Sequence, residues 1–370
     1  MIVYNINKNI SEVYLGDNSI SEVYIGANKV FPSEEPPTPV FGGKYKFTLT
    51  DSSVVSAKCD SSTTLTLGYT MPYYQTLSAV EFGECLLTLG NQVFQSFPNL
   101  VSVNLSGGIT TIGQQSFSRC SGLTSVVIPS NVKTIGGYAF QECPLSSITL
   151  EEGVSTIGGG AFTYANISSI SIPSSVTNIG NYSLMGCPNL TNIVVNPSNT
   201  VYDSRNNCNA IIETATNKLI QGCKTTIIPS DIQMIGDYAF QNCSGLTSVT
   251  IPSGVTSIGS YAFSFCSDLT SIAVPDSVTS IGLYCFVDCQ NLVSATIGSG
   301  VTLIDNYAFY NCSNLTSITI NATTPPRLYQ YNYAFDNTNN CPIYVPSESV
   351  EAYKTAQYWS EYASRLQPIP

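Results

Sequence analysis

The sequence contains no histidine and few charged residues, and each shortage excludes a class of function. Without histidine there can be no Ser-His-Asp triad, Cys-His pair, histidine base or histidine metal ligand. Charged residues make up 10% of the 370 residues, far below the roughly 25% of an average globular domain. The net charge is −11 and the pI about 4.4, which leaves too few cations to neutralise a nucleic-acid backbone. We therefore expect no histidine-dependent enzyme and no nucleic-acid partner.

Long apolar runs are also missing, although hydrophobic residues make up 43% of the chain and suffice for a core. No run approaches the roughly 18 apolar residues that a membrane span needs. Residues 1–8 lack the basic head and apolar body of a signal peptide. We expect no membrane span, and either a mature form or a chain that is not exported by that route.

Most of the sequence repeats one pattern. LTSVVIPSNVKTIGGYAFQEC at 123–143 returns as LTSVTIPSGVTSIGSYAFSFC at 246–266. Such self-similarity is typical of a solenoid, in which each unit buries its apolar face against its neighbours. The spacing of 22 or 23 residues, broken once by 33, predicts about eleven coils. The units start at Leu77, Leu100, Leu123, Leu145, Ile167, Leu190, Cys223, Leu246, Leu269, Leu292 and Leu315.

Each unit combines a strand pattern with a turn and a large aromatic residue. Leu123, Val126 and Ile128 predict a short strand with its apolar side chains turned inward. Pro129 has no N–H and should end the strand, and Gly136 should permit a turn. We expect strands of successive coils to pair in parallel. The aromatic rings should stack in the core at Phe94, Phe117, Phe140, Phe162, Phe240, Phe263, Phe286 and Phe309, with Leu184 replacing one ring.

These units resemble the leucine-rich repeats of the BspA-like type, which occur on surface and secreted proteins of bacteria and some protists. The similarity covers residues 77–370. The long unit at 190–222 is similar to an insertion of that family, and NCPIYVPSESVEAYK at 340–354 resembles its C-terminal cap. The resemblance implies a leucine-rich repeat solenoid with a parallel β-sheet that serves adhesion or binding at a cell surface.

Both ends of the solenoid, residues 77–340, should be capped. Residues 41–76 contain strand-like runs at 45–50 and 64–67 and should form the N-terminal cap. Residues 341–370 should form a C-terminal cap with a helix that covers the open edge of the last coil. Ser347 is the expected helix N-cap. One face of this helix should carry Val350, Tyr353, Ala356 and Trp359.

The N-terminal residues form a separate pattern. ISEVYLGDNS at 10–19 is followed by ISEVYIGANK at 20–29, which predicts a small β-meander over residues 1–31. Residues 32–40 read as a stiff proline-rich linker. The decapeptides resemble short repeats of bacteriophage and prophage tail-module proteins. We expect residues 1–31 to attach the chain to a virion or surface-assembly protein or to a copy of itself, because they are too short for a core of their own.

The cysteines and one polar cluster allow a structural and a functional interpretation. Seven of thirteen cysteines lie twenty residues after a unit start, where other units have Phe97 or Ala165, which favours buried thiols over disulfides or a metal site. Asp203 with Asn206, Asn207 and Asn209 could bind Ca²⁺ weakly, but Asx turns are favoured. The seven cysteines are Cys120, Cys143, Cys187, Cys243, Cys266, Cys289 and Cys312.

Two surfaces are candidates for binding. Outward strand positions form a flat hydroxyl-rich sheet, which could bind a partner or ice, or could simply reflect the preference of threonine for exposed strands. A column of tyrosines could recognise protein or glycan, or pack over the phenylalanines with wet hydroxyls. The strand positions are Thr124, Ser125, Val127, Thr247, Ser248, Thr250, Thr270, Ser271, Ala273, Thr316, Ser317 and Thr319. The tyrosines are Tyr138, Tyr182, Tyr238, Tyr261, Tyr284 and Tyr307.

No catalytic constellation is present in the sequence, including the paired carboxylates of glycosidases. We therefore expect a non-enzymatic recognition protein without cofactor or metal. The decapeptides favour a phage or prophage tail-associated protein that recognises a host, located on the virion. The alternative is an extracellular BspA-like surface adhesin that binds bacterial or host surface proteins or glycans.

Overall fold

The structure, a computed structural model, describes most of the chain as coils of a solenoid. The described residues are 44–58, 64–65, 75–105, 107–330 and 333–370, together with six short strands between residues 3 and 31. They divide into two compact units, Met1–Ile167 with Ser171–Leu184, and Ser168–Ile170 with Met185–Pro370. We call these unit 1 and unit 2 and describe each by itself.

The repeats form a parallel-strand β-solenoid of about 13 turns in all. The fold class is the predicted one, and the number of turns is slightly above the predicted eleven. The extra turns come from segments that depart from the repeat pattern. Thr64–Leu65 pairs in parallel with Thr88–Leu89 before the first regular unit. Ile343–Val345 pairs in parallel with Ser317–Ile320 after the last one.

The N-terminal strands form antiparallel pairs. Val23–Ile25 pairs with Asn28–Phe31 and, on its other side, with Val54–Lys58. The predicted linker at 32–40 lies outside the described residues. The six strands are Val3–Asn5, Asn9–Glu12, Tyr14–Leu15, Asn18–Ser19, Val23–Ile25 and Asn28–Phe31.

A sheet at the start of unit 1 converts antiparallel hairpins into parallel coils. Leu77–Phe82 pairs antiparallel with Lys44–Leu49 on one side and parallel with Ser102–Asn104 on the other. Lys44–Leu49, where the sequence predicted a strand, pairs in turn with Val54–Lys58. The hairpin therefore covers the edge of the first coil, which would otherwise expose unpaired strand.

Each regular coil of unit 1 contributes two strands, one to each of two ladders. The first ladder uses the predicted four-residue strand, in which alternate residues are buried. The second ladder uses a two-residue strand that sequence reasoning missed, because two residues are too short to show a period. First-ladder strands after Ser102–Asn104 are Ser125–Ile128 and Ser147–Leu150. The second ladder has Thr64–Leu65, Thr88–Leu89, Thr111–Ile112, Thr134–Ile135, Thr156–Ile157 and Asn178–Ile179.

Unit 2 repeats this plan over its later coils. Ser271–Val274, Ser294–Ile297 and Ser317–Ile320 pair in parallel and in register. The remaining strands of unit 2 with first-ladder positions are Asn192–Val195, Ile343–Val345 and Leu366–Pro368, and the division between the units falls within Ser169–Ile172. The second ladder has Met234–Ile235, Ser257–Ile258, Ser280–Ile281 and Leu303–Ile304.

Two coils of unit 2 carry the strand motif without forming the strand. Residues 225–228 and 248–251 are irregular, so the prediction of a strand in every unit is wrong there. The long unit at 190–222 precedes these two coils, and its extra residues displace the strand with which residues 225–228 would otherwise pair. The Ile227 N–H, for example, donates to the carbonyl oxygen of Cys208 at 3.1 Å.

The long unit contains its own small antiparallel sheet. Ile211–Glu213 pairs antiparallel with Tyr202–Asp203 on one side and with Lys218–Gln221 on the other. Lys218–Gln221 then pairs in parallel with Met234–Ile235. The insertion thus supplies the second-ladder strand of its own coil. A short 3₁₀ helix, Arg205–Asn207, connects its strands.

Stacked phenylalanines form the core of both units, as predicted. Rings of successive coils lie 5.2–5.7 Å apart and nearly parallel in unit 1, at Phe94, Phe117, Phe140 and Phe162. In unit 2 the row runs from Phe240 to Phe309 at 4.9–5.3 Å. Phe335 continues it at 5.8 Å and was missed, because it follows Phe309 by 26 residues instead of 23. We call these rings, all 0% exposed, the phenylalanine core.

Gly136 is required for a different reason from the predicted turn. A Cβ atom on Gly136 would lie 2.6 Å from the carbonyl carbon of Gly113, one coil earlier, and Gly136 has no positive φ. The glycine therefore permits close approach of two backbones rather than an unusual conformation.

The C-terminal cap differs from the predicted single helix. A 3₁₀ turn, Ser347–Ser349, leads into an α-helix at Val350–Thr355, and a second 3₁₀ helix covers Trp359–Arg365. Ser347 is not the N-cap, since Ser349 holds that position and makes no side-chain capping bond. The predicted apolar side chains still pack inward, with Trp359 1% exposed and 5.6 Å from the Phe335 ring. The aromatic packing, more than helix length, covers the last coil.

Candidate recognition surfaces

The predicted strand positions are on the outside of the coils. Thr247, Ser248 and Thr250 are exposed, as are Val127 and Ala273. We call this outward side of the first-ladder positions the strand face. Exposed predicted residues also include Thr124, Ser125, Thr270, Ser271 and Thr316, whereas Ser317 and Thr319 are half-buried.

Part of the hydroxyl row stabilises the stacking of the coils. The Thr270 hydroxyl donates to the carbonyl oxygen of Thr247 at 3.1 Å, and Thr316 donates to that of Val293 at 3.0 Å. A comparable row follows the second ladder of unit 2, where Thr279 donates to the carbonyl of Thr256. These hydroxyls span neighbouring coils and are less available to a ligand than those of Ser248 and Thr250.

The strand face also exposes large apolar side chains. Ile227 is 76% exposed, and four valines at outward strand positions of their own coils are 42–54% exposed. In the coils that start at Leu246, Leu269, Leu292 and Leu315, no outward strand position is charged. Uncharged surface with scattered apolar side chains is suited to protein contact. The four valines are Val101, Val127, Val194 and Val293.

The six predicted tyrosines share an unusual backbone conformation. Each has a φ between 50° and 62°, in the left-handed region that side-chain-bearing residues rarely adopt. Each is half-buried. Sequence reasoning missed this feature because tyrosine carries no signal for positive φ. The residues are Tyr138, Tyr182, Tyr238, Tyr261, Tyr284 and Tyr307.

In unit 2 the tyrosines stack into a continuous column. Tyr238, Tyr261, Tyr284 and Tyr307 have ring centres 4.6–5.1 Å apart. Tyr333, which the sequence period did not identify, extends the column at 5.1 Å. We call these five residues the tyrosine column. Burial raises the pKa of Tyr261 and Tyr307, and neighbouring tyrosines raise it further, so these hydroxyls remain protonated donors at neutral pH.

In unit 1 two of the predicted tyrosines meet. Tyr138 and Tyr182 lie two coils apart, yet their ring centres are 5.9 Å apart and their hydroxyls form a 3.1 Å hydrogen bond. Gly160 occupies the coil between them, and a Cβ atom there would lie 2.5 Å from the Tyr138 ring. The glycine makes room for the tilted ring.

Five of the seven repeated cysteines are buried thiols, as predicted, whereas Cys187 and Cys243 are half-buried. Within the described chain, cysteines are thiols rather than disulfides. Cys266 is fully buried, and its thiol donates to the carbonyl oxygen of Phe240, one coil earlier, at 3.1 Å. Burial raises its pKa well above the ordinary value, and the neighbouring Cys289 adds to the shift. The same thiol-to-carbonyl bond is made by Cys120, Cys143, Cys289 and Cys312.

The polar cluster of the insertion forms turns held by an arginine. Arg205 donates to both carboxylate oxygens of Asp203, at 2.8 and 2.6 Å, and contacts Asp231 at 2.6 Å. Burial raises the pKa of Asp203, but the hydrogen bonds and charge of Arg205 outweigh it and hold that pKa below its usual value. Asn206 and Asn209 have left-handed φ. The geometry supports Asx turns rather than a Ca²⁺ site.

Two further features bear on chemistry. In the described part of the chain, no cluster of three or more cysteine and acidic side chains is arranged to hold a metal ion. Among the described helices, none has the length and apolar content of a membrane span.

Solved structures of bacterial leucine-rich repeat proteins share this fold. A leucine rich cell surface protein from Faecalibacterium prausnitzii A2-165 aligns with a TM-score of 0.62 at 22% identity, over 91% of this chain and 100% of that one. The pneumococcal vaccine antigen PcpA aligns with a TM-score of 0.60 at 17% identity, over 87% of this chain and 85% of that one. A leucine-rich repeat protein from Eubacterium ventriosum ATCC 27560 aligns with a TM-score of 0.53 at 22% identity, over 82% of this chain and 85% of that one.

No curated protein is significantly similar in sequence. The family described as "BspA type Leucine rich repeat region (6 copies)" matches residues 47–151, 120–218 and 210–342. These matches cover most of the chain and all of its regular coils. The chain therefore belongs to the BspA-type leucine-rich repeat family.

Proposed function

We propose that this chain is a non-enzymatic recognition protein that adheres to cell surfaces through its solenoid. The observation that carries the proposal is membership of the BspA-type family over most of the chain. Two structural neighbours are described as a cell surface protein and a vaccine antigen, which favours an extracellular place of action. This function corresponds to a surface adhesin rather than to a virion component.

The strand face supports the proposal because its outward side chains are dispensable for the core. Ala273 pairs in register with Thr296 of the next coil, Thr250 precedes Ala273 by one repeat of 23 residues, and all three are exposed. The face repeats every coil, so many weak contacts can act together on an extended partner. Its apolar spots at Ile227 and Val293 favour a surface protein, and its hydroxyls are also suited to a glycan.

Binding of the full chain to cells tests this function. Fluorescently labelled protein should bind bacterial or epithelial cells saturably, and unlabelled protein should compete. Protease treatment of the cells should remove binding if the partner is a protein, and periodate oxidation should remove it if the partner is a glycan. Non-saturable binding to every cell type and to bare plastic would contradict the proposal.

The N-terminal decapeptides favour a second candidate, a phage or prophage tail-associated protein. In that case residues 1–31 attach the chain to a particle or to a second copy, and residues 77–340 recognise the host. Deleting residues 1–39 should then abolish incorporation into the particle while binding persists. The deletion also uncovers the edge of Val54–Lys58, which pairs with Val23–Ile25, so circular dichroism must confirm folding. Gold labelling of cell envelopes but not of phage particles would rule out this candidate.

A further inference from the structure

An open cavity lies in unit 2, between the loop at 325–330 and the C-terminal cap at 356–359. Its volume is about 510 Å³, within the range of roughly 300–1,000 Å³ that is typical of small-ligand sites. Sequence reasoning missed it, because neither segment follows the repeat and only folding brings them together. None of its lining residues is acidic, although the chain has a net charge of −11.

Arg327, which lines this cavity, differs from the other arginines of the chain. Of the four arginines, Arg119 and Arg205 form ion pairs with carboxylates. Arg365 donates to the carbonyl oxygens of Phe335 and Cys341. Arg327 instead lies with its guanidinium carbon 4.6 Å from the ring centre of Tyr329, and no described carboxylate forms a salt bridge with it. Its hydrogen-bonding groups are therefore available to an anion.

The arginine is also held in position before any ligand arrives. Its backbone N–H donates to Thr302 at 2.8 Å, and its carbonyl accepts from Ile304 at 3.1 Å. The Trp359 indole donates to the carbonyl of Pro326 at 2.7 Å and ties the loop to the cap. The contact with the tyrosine ring orients the side chain further. Preorganisation of this kind lowers the cost of binding.

The remaining lining points to a sugar. Gln330 and Gln357 are exposed and present amide groups that both donate and accept hydrogen bonds, which suits ring hydroxyls. A peptide C-terminus is usually captured by consecutive backbone N–H groups, but Pro325 and Pro326 have none. A guanidinium binds a carboxylate through two parallel hydrogen bonds.

We infer that this cavity binds an acidic monosaccharide, whose carboxylate is held by Arg327 and whose hydroxyls meet Gln330 and Gln357. The inference rests on the recognition function proposed above but assigns a site apart from the strand face. It gives the acidic chain a local preference for anionic glycans.

The chain reports on this site directly, because Trp359 is its one tryptophan and lines the cavity. Tryptophan fluorescence of the full chain is titrated with glucuronate, with glucose and the glucuronate methyl ester as uncharged controls. Glucuronate should change the emission saturably. The uncharged sugars should bind at least about tenfold more weakly, since they lose a charged hydrogen bond. Equal responses to glucose and glucuronate would overturn the inference.

Two variants complete the test. Arg327→Gln should abolish the response to glucuronate, whereas Arg119→Gln, at an exposed arginine of unit 1, should leave it unchanged. Both should melt as the parent does. An unchanged response in Arg327→Gln, or tighter binding of a peptide carboxylate than of glucuronate, would contradict an acidic-sugar site. A glucuronate response that persists in Arg327→Gln while the parent protein still binds cells would overturn only this assignment and leave the proposed function intact, whereas loss of cell binding in the parent's own assay would overturn the proposed function.

Discussion

The phenylalanine core and the tyrosine column are two rows of stacked rings with the same period and different roles. Phe263 and Phe286 are 5.3 Å apart and 0% exposed. Tyr284 and Tyr307 are 4.6 Å apart, yet they are half-buried and have left-handed backbones. Regular stacking of aromatic rings therefore indicates that the sequence repeats, and does not by itself indicate the role of the row. Burial and backbone conformation distinguish the row that forms the core from the row that is partly open to solvent.

The largest expected effect is in the phenylalanine core. Phe263→Ala should lower the free energy of unfolding by about 3–5 kcal/mol, because it removes buried surface and leaves a cavity between two rings. Phe263→Leu should cost clearly less, since Leu184 already replaces a ring in the repeat. Urea unfolding of both variants measures the difference. A cost below about 1 kcal/mol for the alanine variant would contradict the core assignment.

A smaller effect, with an unusual order, is expected in the tyrosine column. Tyr284 has a φ of 54°, so an alanine there keeps the strain while a glycine relieves it. Tyr284→Gly should therefore be more stable than Tyr284→Ala by about 1 kcal/mol, the reverse of the usual order in regular structure. Both variants lose the same stacking. Thermal unfolding that ranks alanine above glycine would contradict the backbone assignment.

The sequence predicted the phenylalanine core, the parallel first ladder and the buried thiols, because a residue that recurs in every coil meets its own copies. Phe335 and Tyr333 were missed where the spacing changes from 23 to 26. The second ladder is too short to show a period, and the left-handed tyrosines have no compositional signal. The Arg327 cavity could not be predicted, since it depends on contact between two non-repeating segments.

The thiols of the core predict a loss of stability at high pH. Burial raises the pKa of Cys266 well above its ordinary value of 9.0 and that of Cys243 to about 12. In the unfolded chain these thiols ionise near pH 9, while the folded chain keeps its protons. The unfolded state therefore binds fewer protons above pH 9, and the free energy of unfolding falls as the pH rises towards 12.

Urea unfolding at pH 7 and pH 10 measures this loss. Cys266→Ala should lose less stability between the two pH values than the parent, because one raised pKa is gone; Ala165 shows that alanine fits this position. Tyrosine and lysine ionise in both proteins and cancel in the comparison. An identical loss in parent and variant would show that the thiol does not contribute.

The smallest effects are expected on the strand face. Thr250→Ala should change the free energy of unfolding by no more than about 0.5 kcal/mol, because the side chain is exposed. Thr270→Ala should cost more, up to about 1 kcal/mol, since its hydroxyl bonds to the carbonyl of Thr247 in the preceding coil. Thermal unfolding of the two variants measures whether the Thr250 and Thr270 hydroxyls contribute differently to stability. Equal costs would contradict the hydrogen-bond assignment.

The central claim is that the buried rows stabilise the fold and that the strand face recognises the partner. Its most direct test measures cell binding and thermal unfolding on the same variant. The variant Thr250→Glu, Ala273→Glu and Thr296→Glu charges the same exposed repeat position on three successive coils. Its control, Ser253→Glu, charges an exposed residue at a different position of the repeat. The account predicts that the triple variant melts as the parent does and loses at least about tenfold in cell affinity, while the control binds normally. A folded triple variant that binds cells as well as the parent would contradict the account.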